Sequence, residues 1–110
     1  MTYAWIIDED VLFETGDPLD FNEAGIEGPW DAPPWMLAAL KNEGPIKLTG
    51  YQIHSFEMFD DDGILYYTGR IIADNMDYAT QFKPLDDFGQ PNAGAVSIQY
   101  PEHPEWGSTS

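Results

Sequence analysis

Nine carboxylates and no lysine or arginine precede Lys41. They are Asp8, Glu9, Asp10, Glu14, Asp17, Asp20, Glu23, Glu27 and Asp31. Over the whole chain twenty acidic side chains oppose Lys41, Lys47, Arg70 and Lys83, for a formal net charge of −16. A chain so charged repels itself when compact, so a fold must turn almost every carboxylate to water and rely on apolar burial for cohesion. Material for that burial is present: 43% of the 110 residues are apolar and 15% aromatic. The same charge excludes partners. Nucleic-acid affinity comes largely from neutralising phosphates with lysine and arginine, and four scattered cations cannot supply it. Anionic membranes are excluded for the same reason.

The pattern of elements predicts an α+β domain: a small antiparallel sheet of about four strands with one short covering helix, within residues 1–100, followed by a frayed tail over 101–110. Tyr3 to Asp8 reads as a strand, rich in aromatic and β-branched residues. Asp10 to Trp30 is acidic and punctuated by glycine and proline, with room for one short element around Val11, Leu12 and Phe13. Pro34 to Gly44 reads as a helix, with proline in its first turn, Met36, Leu37 and Leu40 on one face, and glycine to close it. The firmest unit is a hairpin: Lys47 to Phe59, the turn Asp60-Asp61-Asp62-Gly63, then Ile64 to Ile72. Phe56 and Met58 share one face of its first arm, and Leu65, Tyr67 and Ile71 one face of the second, while Gly50 marks a bulge. Asp74 to Asn92 reads as a loop. A last strand, Ala95 to Tyr100, turns Val96, Ile98 and Tyr100 inward and Ser97 and Gln99 outward.

Chemistry-bearing patterns are scarce. The chain has no cysteine, which removes disulfides, thiolate metal sites and thiol nucleophiles. A calcium loop with Gly63 at its sixth position would put Met58 at the first ligand position and Gly69 where a bidentate glutamate belongs. His54 sits within a strand pattern and His103 in the tail, neither at metal-ligand spacing. No Gly-x-Ser-x-Gly elbow is present, and Asp86-Asp87-Phe88-Gly89 stands without any other kinase element. We therefore expect no enzyme activity, no cofactor and no metal. The N-terminal segment has no basic side chain and only a short apolar run, so a cytoplasmic protein is expected.

The carboxylates have two readings: a hydrated surface, or a shaped patch. Side chains on one face of a strand recur about every 6.6 Å, close to the phosphate repeat of a nucleic-acid strand. Asp8 and Asp10 at the end of the first strand, and Asp60 and Asp62 at the hairpin tip, have this separation. Trp30 and Trp35 flank Asp-Ala-Pro-Pro, either as core at the mouth of the helix or as an aromatic anchor for a partner. The candidate contact residues are Asp8, Glu9, Asp10, Glu14, Asp17, Asp20, Asp60, Asp61 and Asp62, with Trp30 and Trp35.

The stretches Phe59–Ile72 and Phe82–Gly94, with the opening Tyr3–Asp10, resemble short acidic proteins carried by actinobacterial phages and mobile elements. That resemblance implies a setting in the host cytoplasm, where small acidic phage proteins disable bacterial defence in the manner of anti-CRISPR and anti-restriction inhibitors. The expectation is a non-enzymatic inhibitor that occupies the basic nucleic-acid-binding surface of a host defence protein by nucleic-acid mimicry. The alternatives are an immunity protein for a nuclease toxin and a general acidic interaction module without mimicry.

Overall fold

A computed structural model of the chain describes residues 2–15, 22–42 and 51–109. Its elements in order are β1 (Tyr3–Asp10), α1 (Val11–Thr15), β2 (Glu27–Gly28), α2 (Pro34–Leu40), β3 (Ile53–Phe59), β4 (Leu65–Ala73), α3 (Tyr78–Gln81), a π-helical turn (Leu85–Gly89), α4 (Gln90–Ala93), β5 (Ser97–Gln99) and β6 (Gly107–Thr109). The strands form one antiparallel sheet in the order β2-β1-β4-β3-β5-β6. The α+β class and the antiparallel sheet agree with the sequence reading. The four expected strands are β1, β3, β4 and β5, and two short strands extend the sheet at its margins.

The centre of the sheet is apolar on both sides. In β1, Trp5 and Ile7 point to one face with Phe56, Met58, Tyr67 and Ile71, while Ala4 and Ile6 point to the other with Ile72. The alternation in each strand therefore feeds two separate cores. The first is closed by Leu85 and Phe88 of the π-helical turn together with Ala95, Ile98 and Tyr100. The second is closed by Met36, Ala39 and Leu40 of α2. Helix α2 starts at Pro34, where a missing N–H costs nothing. Of the face expected to pack, Met36 and Leu40 are fully buried and Leu37 is half-buried.

The hairpin forms between β3 and β4, from Ile53 opposite Ile72 to Phe59 opposite Leu65. Gly63 takes a φ of 77° in its turn, a conformation that glycine adopts without strain. Of the expected first arm, residues 47–50, with the bulge expected at Gly50, lie outside the described residues, and the strand begins at Ile53.

Three expectations need correction. Asp74 to Asn92 is not a loop: Asp77 caps α3, accepting from the Thr80 N–H and hydroxyl, and helical turns continue to Ala93. Asp77 and Pro84 stand at helix starts and Asp86, Asp87 and Pro91 in first turns, so these residues signal helix starts and not loop. The tail does not fray as far as Thr109, because β6 pairs with β5 and the Gly107 N–H donates to Gln81 Oε1 at 2.9 Å. Ser97, expected outward, is buried, with Phe59 and Thr109 paired on either side.

Candidate functional site: an open sheet face

Helix α2 has seven residues and so a length of about 10 Å. The strand beneath it, β4, has nine and spans about 30 Å. The helix therefore covers only the end of the second face that holds Ala4, Ile6, Ile53 and Ile72. Beyond it the register sets Glu9, Thr68, Glu57 and Gln99 opposite one another across β1, β4, β3 and β5. These four polar side chains are exposed or half-exposed. Neighbouring strands lie about 4.8 Å apart, which sets the Glu9 and Glu57 backbones roughly 10 Å apart. Between them the Thr68 hydroxyl donates to Glu9 Oε1 at 3.4 Å.

The row behind it carries Arg70, opposite Ser55. Its guanidinium donates to both Asp8 oxygens, at 2.8 and 2.9 Å. That pairing holds the Arg70 pKa above its usual value, with burial opposing it. Lys41 pairs with Glu27 at 2.9 Å. Two of the few cations are thus already matched to carboxylates on or beside this face, and Glu9 and Glu57 add negative charge to it.

The expected two-residue spacing of Asp8 and Asp10 fails. The ladder slips between Ile7 and Glu9, a bulge that leaves Asp8 and Glu9 both exposed and turns Asp10 inward. Asp10 is 3% exposed and accepts backbone N–H bonds from Phe13 and Glu23, both at 3.0 Å. It holds the start of α1 and the chain beyond it, and it offers nothing to a partner. Glu14 is exposed on α1. Asp17 and Asp20 lie outside the described residues.

At the hairpin tip the three carboxylates come within 4.8 Å of one another. They are not equivalent. Asp60 Oδ1 accepts the N–H groups of Asp62 and Ile64, at 2.9 and 2.8 Å, whereas Asp61 and Asp62 are exposed. Tyr66, beside the tip, has its hydroxyl pKa raised by burial first and then by the Asp60, Asp61 and Asp62 charges. Asp60→Ala is expected to cost about 1 kcal/mol in urea denaturation, the worth of the lost cap. Asp61→Ala, which removes charge without those bonds, should leave stability within about 0.5 kcal/mol. Equal losses from the two would show that capping is not the cause.

The two tryptophans separate. Trp35 is half-buried and meets the Tyr51 ring edge-on, at 5.2 Å and 79°. Trp30 is 96% exposed, next to a shallow cleft lined by Tyr3, Pro29, Asp31 and Pro33.

Two groupings were not visible in the sequence. Glu23 accepts from the Tyr67 hydroxyl and from Asn92, joining residues far apart in the chain, and burial pushes the Tyr67 pKa up to about 12. Asp87 accepts from both the Tyr3 hydroxyl, at 2.6 Å, and the Trp5 indole N–H, at 3.1 Å. Aromatic residues on a strand followed by distant acids are too common a pattern to reveal such pairings.

The fold and this surface define a class, a small α+β domain whose sheet, among the described residues, leaves part of one face uncovered and polar, with Glu9 and Glu57 on it. Compared with known proteins, the chain matches no family model, no curated protein and no solved structure. Among the described residues no helix is long and apolar enough to cross a membrane.

Proposed function

We propose that this chain is a non-enzymatic binding domain that docks its open sheet face on a basic surface of another protein, the surface by which that partner holds nucleic acid. The observation that carries the reading is the row Glu9, Thr68, Glu57 and Gln99, with Asp61 and Asp62 at the tip of the hairpin that contributes two of the strands. A row set by a hydrogen-bonded ladder holds the backbone positions of its carboxylates at fixed separation, so binding has to order side chains but not the chain that carries them. Exposed carboxylates also lie on other faces, Asp31 and Asp86 among them. The overall charge therefore steers encounter, and the row sets register. The resemblance of Phe59–Ile72 and Phe82–Gly94 to acidic phage proteins fits an inhibitor of a host defence protein in the host cytoplasm.

The test compares two charge reversals of equal size. Glu9→Lys/Glu57→Lys should weaken capture of a basic nucleic-acid-binding protein from bacterial lysate by about tenfold or more, which is about 1.4 kcal/mol. Asp31→Lys/Asp86→Lys should weaken it much less. Duplex DNA should displace the captured partner, and circular dichroism should be unchanged in both variants. Equal losses from the two pairs, or failure of DNA to compete, would overturn the reading.

The exposure of Trp30 favours a second reading, an interaction module anchored by an aromatic side chain without mimicry. In that case Trp30→Ala abolishes capture and the sheet-face reversal does not.

A further inference from the structure

The C-terminal segment from Pro101 to Thr109 folds back as a strap, fastened through Gln81. The Tyr100 hydroxyl donates to the Gln81 carbonyl at 2.7 Å, and the Gln81 side chain accepts the Gly107 N–H. Trp106 packs against the first core, and β6 adds to β5. Under the strap lies His54, 8% exposed on β3. His103 stacks on Trp106 with ring centroids 3.8 Å apart and planes 11° from parallel. His54 meets both rings edge-on, His103 at 5.2 Å and Trp106 at 4.8 Å.

We infer that His54, His103 and Trp106 form a proton-operated catch, closed while His54 is neutral and released when acid puts a charge on His54 beneath the strap.

The physics sets the direction. A charge on His54 would sit in a place removed from water and beside a second imidazole, and both effects disfavour it. Burial is the larger cause and His103 the next, and together they lower the His54 pKa from its ordinary 6.5; Glu102 of the strap opposes them. Among the described residues the cluster also holds Glu105, which pairs with His103 Nδ1 at 3.5 Å, and the uncharged Tyr100 ring against Trp106. Strand β4 presents uncharged Ile71 opposite His54. With the strap open, His54 returns to water and to a pKa near 6.5. The open form thus binds the proton more tightly than the closed form. Closure is fully favoured above about pH 6.5 and weakens as pH falls toward the lowered value, by at most tenfold per pH unit for one proton.

The experiment follows backbone hydrogen exchange at Gly107 and Trp106 by NMR between pH 7.5 and pH 5, with rates corrected for the intrinsic pH dependence of exchange. In the unmodified protein the protection of both amides should fall several-fold across that range, and the His54 ring should titrate below 6.5. His54→Phe keeps an aromatic ring without the proton and should hold protection level. Gly107→Ala marks the open form. Gly107 has a φ of 71° and its added methyl would meet the Ile98 carbonyl, so both amides should lose protection at either pH. Level protection in the unmodified protein overturns the inference, as does a His54 pKa at or above 6.5, or a drop that persists in His54→Phe. The His54 titration needs no variant, so a failure of His54→Phe to fold leaves the test decisive.

Discussion

Gly69→Ala is expected to destabilise the domain by roughly 3 kcal/mol, although alanine for glycine within a strand usually costs nothing and often helps. Gly69 lies in β4, paired to Ile7 on one side and Phe56 on the other. A methyl added there would collide with the backbone carbonyl of Ile6 and lie 2.6 Å from the Phe56 ring. The ring can turn, but the carbonyl belongs to the β1 strand and can withdraw only if the two central strands part. The ordinary penalty for overfilling a packed interior is about 1–3 kcal/mol, and a clash with a strand's main chain belongs at its upper end. Gly63→Ala is the control. Its methyl would meet open space, so only the left-handed backbone is penalised, by about 1–2 kcal/mol. Urea denaturation of both variants measures the difference. A Gly69→Ala protein as stable as the parent would mean that β1 and β4 do not approach as described.

The second large effect is expected at Asp10. Asp10→Ala leaves the part-buried N–H groups of Phe13 and Glu23 without their acceptor. Loss of a helix cap costs about 0.5–2 kcal/mol, and a buried donor left unmatched about 1–3 kcal/mol. We expect roughly 1.5–5 kcal/mol in all, the sum of the two. Glu9→Ala, one residue away and exposed, should shift stability by less than about 0.5 kcal/mol. If the two substitutions cost the same, the bulge that separates their roles is absent. The contrast also sorts structure from recognition, since only the Glu9 change should affect capture of a basic partner.

What the sequence revealed depended on how local the signal was. The hairpin was legible because Asp-Gly between two alternating strands is a short-range instruction, and α2 because Pro34 and the run Met36-Leu37-Leu40 need no distant partner. The helical segment from Tyr78 to Ala93 reads as a loop in the sequence. Its apolar residues, Phe82, Leu85 and Phe88, recur every third position, a helical rhythm obscured by the intervening Asp, Pro and Gly. The site was less legible still. Strand periodicity placed Asp8 and Asp10 on one side, and a single-residue bulge, invisible in composition, sent them to opposite fates. The Glu9–Glu57 row depends on strand order, which follows from β1 inserting beside β4, a contact between residues more than fifty positions apart in the chain. The catch at His54 likewise depends on a tail that folds back.

The sheet has very short outer strands, β2 with two residues and β6 with three. A long bare margin would offer its unsatisfied peptide groups to any passing chain, and stacking of copies through such margins is how many β-rich proteins clump. Here each margin ends after a few peptide units, and mutual repulsion between copies as anionic as these opposes whatever pairing remains. Among the described residues, the brevity of those two strands leaves an added chain only a few peptide groups to pair with at either margin.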